Sequence, residues 1–208
     1  MPDKNSIAII GYSGHAFVVL DAAKEMGLHV DYYCESNKTS FNPFDMSYLG
    51  DEASESFKWD RVDSLILGIG NNRIRQKVAN LISSKKKTIL NVIHPSSIIS
   101  NYANFGSGNF IAANVTVNAL AKMANNCILN TGCIIEHECV IESGVHIAPG
   151  TVLAGNVSVG ENSFIGANSV VKQGVKIGSG VTVGAGSVVV KDIPDNETWV
   201  GNPAKKIK

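Results

Sequence analysis

From Ile93 onward the chain repeats with a period of six. Stepping by six gives Ile99, Phe105, Ile111, Val117, Met123, Leu129, Ile135 and Ile141, then Ile147, Leu153, Val159, Ile165, Val171, Ile177, Val183 and Val189. Each position holds a large apolar residue, which neither a helical nor an alternating-strand period sustains over such a length. Three residues later comes mostly Gly or Asn, as at Gly108, Asn114, Asn126, Gly132, Gly144 and Gly150. These residues accept a left-handed backbone at a tight corner. Four residues later the side chain is small or β-branched, as at Ala103, Val115, Ala121, Thr151 and Ser163. Each hexad therefore reads as a short strand with two inward side chains, followed by a corner. Three hexads close one triangular coil, and coils stack at the ~4.8 Å spacing of paired strands. The run predicts about five to six coils of parallel β-helix.

This frame absorbs other signals. Cys127, Cys133 and Cys139 are spaced by six at the small inward position, so they predict buried packing rather than a metal site. The Asn-x-Ser/Thr sequences at Asn114 and Asn156 fall at corners, not at glycosylation loops. Sorting outward residues by coil gives one apolar face, Ile98, Thr116, Ile134, Val152, Val170 and Val188. A second face, Asn104, Lys122, Val140, Ser158 and Lys176, is mostly polar. An apolar column on a regular prism predicts a partner surface.

Composition narrows the functions. Eighteen basic residues balance eighteen acidic ones, leaving no basic excess for nucleic-acid phosphates. No apolar run is long enough for a membrane span, and the start, Met1-Pro2-Asp3-Lys4, lacks a leader's apolar stretch, so a cytoplasmic location is expected. Twenty Gly with 7% aromatics in a chain 44% hydrophobic suit a protein of many corners.

Residues 1–92 read differently from 93–208. Ser6 to Ile10 is an apolar strand, followed by Gly11-Tyr12-Ser13-Gly14-His15 and a helix over Ala16 to Met26. A second strand is expected over Leu28 to Tyr33, and a third over Ser64 to Leu67. The latter leads into Gly68-Ile69-Gly70-Asn71-Asn72 and a helix from Arg73 to Ser83. Thr88 to Ile93 reads as a last strand running into the coil. The fold class expected is thus an α/β Rossmann-like domain followed by an all-β parallel β-helix. Both Gly-rich loops follow strands, at the sheet edge where such folds bind ligands. The N–H groups of Gly14 and His15 at a helix start suit phosphate oxygens.

The corner column breaks its rule at Leu120, expected to pack against a neighbour, and at Glu138. Glu138 follows His137 within Glu136-His137-Glu138-Cys139. A carboxylate where the backbone prefers Gly or Asn signals function placed above local stability. A His beside a carboxylate can act as general base, with one ring nitrogen held and the other open. His146, nine residues on, occupies an outward strand position, and in an oligomer the two imidazoles would meet across a subunit groove.

Gly11-x-Ser13-Gly14-His15, Ile69-Gly70-Asn71-Asn72-x-Ile74-Arg75, Asn130-Thr131-Gly132 with Glu136-His137-Glu138-Cys139, and the ending Val200-Gly201-Asn202-Pro203-Ala204-Lys205 together resemble the hexapeptide-repeat acyltransferases. Within these, the chain is similar to the sialic-acid O-acetyltransferase type and most to the UDP-4-amino-sugar N-acetyltransferases. That resemblance implies a left-handed coil, a homotrimer, and acetyl-CoA as co-substrate with no metal. It implies His137 as base with Glu138 as its partner, and His146, Ala154, Gly155, Ala167 and Ala185 along the acetyl-CoA. It assigns Ser13, Gly14, His15, Cys34, Glu35, Gly70 and Asn71 to a nucleotide-sugar. The acceptor expected is the amine of a UDP-4-amino-4,6-dideoxy sugar. A GDP-linked amino sugar such as GDP-perosamine, the hydroxyl of sialic acid, and a non-catalytic sugar-nucleotide scaffold stay open. A zinc-dependent carbonic anhydrase on the same coil would need a third histidine, which the coil proper lacks.

Overall fold

The computed structural model describes residues 6–208, so Met1–Lys4, read above for the absence of a leader, lies outside the described residues. Ile7–Ile10 (β1), Tyr32–Cys34 (β2), Ser47–Gly50 (β3), Ser64–Leu67 (β4) and Thr88–Ile89 (β5) form a parallel sheet ordered β3-β2-β1-β4-β5. Gly14–Glu25 (α1) and Asn72–Ser84 (α2) cross over it. β1 is buried along its whole length, as a strand covered on both faces must be. The second strand starts later than its apolar pattern suggests. Gly27 at φ +78 ends α1, and the Leu28 N–H closes on the Ala23 carbonyl at 2.8 Å, which spends the segment before Tyr32 on the connection. β3 carries no sequence signal beyond four residues, Ser-Tyr-Leu-Gly.

The strand expected over Thr88 to Ile93 divides in two. Thr88–Ile89 stays in the α/β sheet, and Val92–Ile93 (β6) is the first strand of the coil. Asn91 stitches the junction, donating from Nδ2 to the Gly106 carbonyl and accepting from the Asn109 N–H, each at 2.8 Å.

From Ile98 to Val189 every strand of the coil is two residues long, and each pairs in parallel with the strand one coil away. Face one stacks Ile98, Thr116, Ile134, Val152, Val170 and Val188. Face two stacks Asn104, Lys122, Val140, Ser158 and Lys176. Face three stacks Val92, Phe110, Ile128, His146, Phe164 and Thr182 and is extended by Thr198–Val200 and Lys205–Lys206. The inward column from Ile111 to Val189 is buried, each side chain contributing about 1.5–3 kcal/mol by leaving water. The three coil cysteines lie buried in the second inward column, four residues after the first.

The corners between faces two and three alternate in size. A Cβ built on Gly108 would sit 2.3 Å from Asn126 Oδ1, and one on Gly144 would sit 2.5 Å from Asn162 Oδ1. Each Asn fills the space its neighbour leaves empty, which explains why Gly and Asn share this column. Leu120, expected to pack, is 55% exposed at φ +64. Its corner points to solvent in a single chain, so the expected contact is absent there.

Candidate active site

At the carboxyl ends of β1, β2 and β4 a cavity of about 320 Å³ opens. Ser13, Cys34, Glu35, Gly70 and Asn71, expected from sequence to meet a ligand, all line it, together with Gly11, Gly68 and Glu52. The floor is tight: a Cβ on Gly68 would lie 2.6 Å from Ala16 Cβ and 2.8 Å from the Gly11 carbonyl. Ser13 is the N-cap of α1, yet its side chain makes no capping bond, so the first-turn amides of Gly14 and His15 stay free of an internal partner. Asn71 instead spends its side chain capping α2, accepting from the Ile74 N–H at 3.1 Å. Glu35 braces the phosphate-type loop by accepting the Tyr12 N–H at 3.1 Å. Cys34 contributes only wall: its thiol is buried and pushed far up by desolvation, then by Glu52, Asp51 and Glu35.

Between this sheet and face three lies Arg75, 1% exposed. Its Nε donates to Asn126 O, its Nη1 to the carbonyls of Ile69 and Gly70, and its Nη2 to Asn72 Oδ1 and Gly144 O, all at 2.8–3.1 Å. All five guanidinium protons therefore have acceptors, drawn from both the Gly-rich loop and the coil, and none is a carboxylate. Beside it sit His15 and His146, with ring centroids 6.2 Å apart. Burial, then the Arg75 charge, hold each imidazole down to about 4, so both are neutral near pH 7. Within the single chain His146 is 8% exposed. The α/β domain covers it, and Asn130 Nδ2 lies 3.2 Å from its Nε2.

His137 occupies the corner between faces one and two. Its Nδ1 lies 3.0 Å from Glu138 Oε2, and the two side chains are 51% and 58% exposed. Glu138 holds φ +60, a left-handed conformation that costs a residue with a Cβ about 1–2 kcal/mol. With Nδ1 engaged, Nε2 is the open nitrogen. It lies against Gly155 one coil above, where any Cβ would come within 2.5 Å.

The comparisons with known proteins carry these features into a family. The PglD N-terminal domain matches residues 6–82, and the hexapeptide repeat of succinyl-transferase matches residues 156–191. A His-to-Ala variant of GDP-perosamine N-acetyl transferase from Caulobacter crescentus, in complex with CoA and GDP-perosamine, is 33% identical over 99% of this chain and 98% of that one, with a TM-score of 0.94. The acetyltransferase domain of PglB from Neisseria gonorrhoeae is also 33% identical, over 98% of this chain and 100% of that one, with a TM-score of 0.91. The same domain in complex with acetyl coenzyme A matches at 33% identity over 98% and 99%, with a TM-score of 0.90.

The chain belongs to the PglD-type hexapeptide-repeat sugar N-acetyltransferases.

The coil of this PglD-type enzyme is accordingly the left-handed parallel β-helix. The residues expected along acetyl-CoA are distributed over two of its edges. Ala154 and Gly155 lie above His137 between faces one and two, whereas Ala167 and Ala185 lie between faces three and one. The α/β domain that holds the cavity packs on face three through Arg75 and His15, away from the His137 corner. Within one chain, then, the three groups of expected residues do not converge. Two residues of this region, Arg75 and Glu52, received no role from the sequence. Arg75 stands on the same helical stripe as the buried Val78, Ala79 and Ile82, and a charge on an apolar stripe was the available signal. Glu52 had none, because β3 was not legible. Among the described residues no three His, Cys, Asp or Glu gather to hold a metal, and no helix is long and apolar enough to cross a membrane.

Proposed function

We propose that the protein transfers acetyl from acetyl-CoA to the 4-amino group of a nucleotide-linked 4-amino-4,6-dideoxy sugar, with His137 as general base. The observation that carries this is the His137–Glu138 pair, which leaves Nε2 open beside a glycine. The sugar amine attacks the thioester carbonyl, forming the C–N bond, while Nε2 takes the amine proton. The C–S bond then breaks, and the imidazolium, stabilised by Glu138, returns the proton to the leaving thiolate. A backbone N–H at the coil corner stabilises the oxyanion. No covalent enzyme intermediate is required, which suits coil cysteines that are buried and raised by desolvation.

Gly11–His15 would hold the diphosphate through α1's first amides, with Gly70 and Asn71 closing the cavity over it. The resemblance in sequence points to a UDP sugar, and the Caulobacter crescentus relatives bind GDP-perosamine. Ala154, Gly155, Ala167 and Ala185 would flank the pantetheine arm, small enough for it to reach backbone amides, and His146 would approach its acetyl end. His137 lies on the corner opposite the face that carries the α/β domain, which suits the homotrimer that the sequence resemblance implies. The apolar face one, where Ile98 is 70% and Val170 42% exposed, supplies an adhesive surface for it.

Thiol release from acetyl-CoA tests the reading across UDP-4-amino, GDP-4-amino and CMP-linked or free sialic acceptors. Release with an amino-sugar nucleotide and an N-acetyl product supports it; preference for sialic acid, or no release with any acceptor, refutes it.

A further inference from the structure

The cavity lining is chemically mixed. Ser13 stands where α1's first amides await an anion. Two carboxylates, Glu35 and Glu52, line the same cavity. Glu35 is already engaged: Oε2 accepts the Tyr12 N–H, and Oε1 accepts from the Ser36 N–H and Oγ. Glu52 is not. Among the described residues none other than Glu52 itself donates a hydrogen bond to its carboxylate, and no cation pairs with it.

The backbone puts Glu52 there deliberately. The register of β2 and β3 slips after Tyr33, so that Cys34 pairs with Gly50, and the Glu35 N–H donates to the Gly50 carbonyl at 3.2 Å. Gly50 adopts φ +131, open in practice only to glycine, and turns the chain so that Glu52 reaches the cavity wall. Burial, then the charges of Asp51 and Glu35, raise the Glu52 carboxyl above its usual range. A part-buried carboxylate that, among the described residues, accepts only from its own N–H and sits among like charges is costly unless a ligand brings donors.

We propose that Glu52 reads the nucleobase of the bound sugar nucleotide, and that the base it selects is guanine. The proposal rests on the nucleotide-sugar reading above and sharpens it. Guanine presents N1–H and the exocyclic N2–H side by side, two parallel donors matching the two oxygens of one carboxylate. Uracil and thymine offer one N3–H flanked by two carbonyl oxygens. Adenine and cytosine set their amino group beside an acceptor nitrogen. Each of those bases turns a lone pair toward a carboxylate oxygen, whereas guanine does not.

Calorimetric titration of the full-length protein with GDP, UDP, dTDP and CDP tests this, for wild type, Glu52→Gln and Glu52→Asp. The expected result is tightest binding of GDP by wild type. Glu52→Gln, which turns an N–H toward guanine, should weaken GDP about 10-fold to 100-fold while changing UDP less than about threefold. Glu52→Asp, which keeps the charge, should retain part of the preference for GDP, and unchanged melting curves show that the variants fold. An unaltered GDP-to-UDP ratio in Glu52→Gln, or tighter UDP than GDP binding by wild type, overturns the assignment while leaving the cavity a nucleotide site. Failure of wild type to bind any of the four overturns the nucleotide-site reading itself.

Discussion

The imidazole of His137 occupies the space that a side chain on Gly155 would need: a Cβ there would come within 2.5 Å of both Cε1 and Nε2. The coil thus positions the open ring nitrogen by withholding one methyl group a coil away. Gly155 is outside the left-handed region, so alanine suits its backbone, and the half-exposed ring can swing aside. Gly155→Ala should keep the fold, with Tm within a few degrees of wild type. Displacing the base by about 1 Å should lower kcat roughly 100-fold. Steady-state kinetics and a melting curve check both.

Glu138 should show stability and activity pulling apart. Its left-handed backbone suits Asn far better than Glu. Glu138→Asn is expected to gain up to about 1 kcal/mol of stability. Losing the carboxylate that fixes Nδ1 should at the same time cost about 10-fold to 100-fold in kcat. Denaturant titration beside kinetics measures the two.

His15 and His146 make stability depend on pH. Both imidazoles are held near 4 in the folded protein, below their ordinary 6.5. Protonation therefore favours the unfolded chain. Stability from this pair is complete above about pH 6.5 and is lost as pH falls from there to about 4. Tm measured from pH 7.5 to 4.5 should drop, and His146→Gln should drop less over the same window. Parallel curves for the two proteins would contradict this origin.

The repeat was legible because a six-residue period admits one solution: every hexad must place the same two side chains inward. The corner at Glu138 was legible for the same reason, as a departure from a rule the chain states many times. Ser13, Cys34, Glu35, Gly70 and Asn71 could be placed on one sheet edge because both loops follow apolar strands. What the sequence concealed depends on contacts between segments far apart. The covering of His146 by the α/β domain comes from Arg75 meeting Asn126 and Gly144, which no local pattern encodes. Glu52 enters the cavity through a register slip and a single glycine, and periodicity is silent on both.

A site shared between subunits makes a quantitative demand. His137→Ala removes the base, and Gly70→Leu fills the nucleotide cavity, so each variant alone should be inactive. Co-refolded in equal amounts, they should recover about a quarter of wild-type activity, since random mixing in a symmetric trimer pairs an intact base with an intact cavity at that frequency. A site contained in one chain would leave the mixture inactive.

The central claim is that His137 removes the amine proton during acetyl transfer. Its most direct test is thiol release from acetyl-CoA with a 4-amino-sugar nucleotide, comparing wild type with His137→Ala. The variant should keep its oligomeric size and bind the acceptor within about threefold of wild type, while kcat falls at least about 100-fold. A kcat near the wild-type value in a correctly assembled His137→Ala protein would contradict the mechanism.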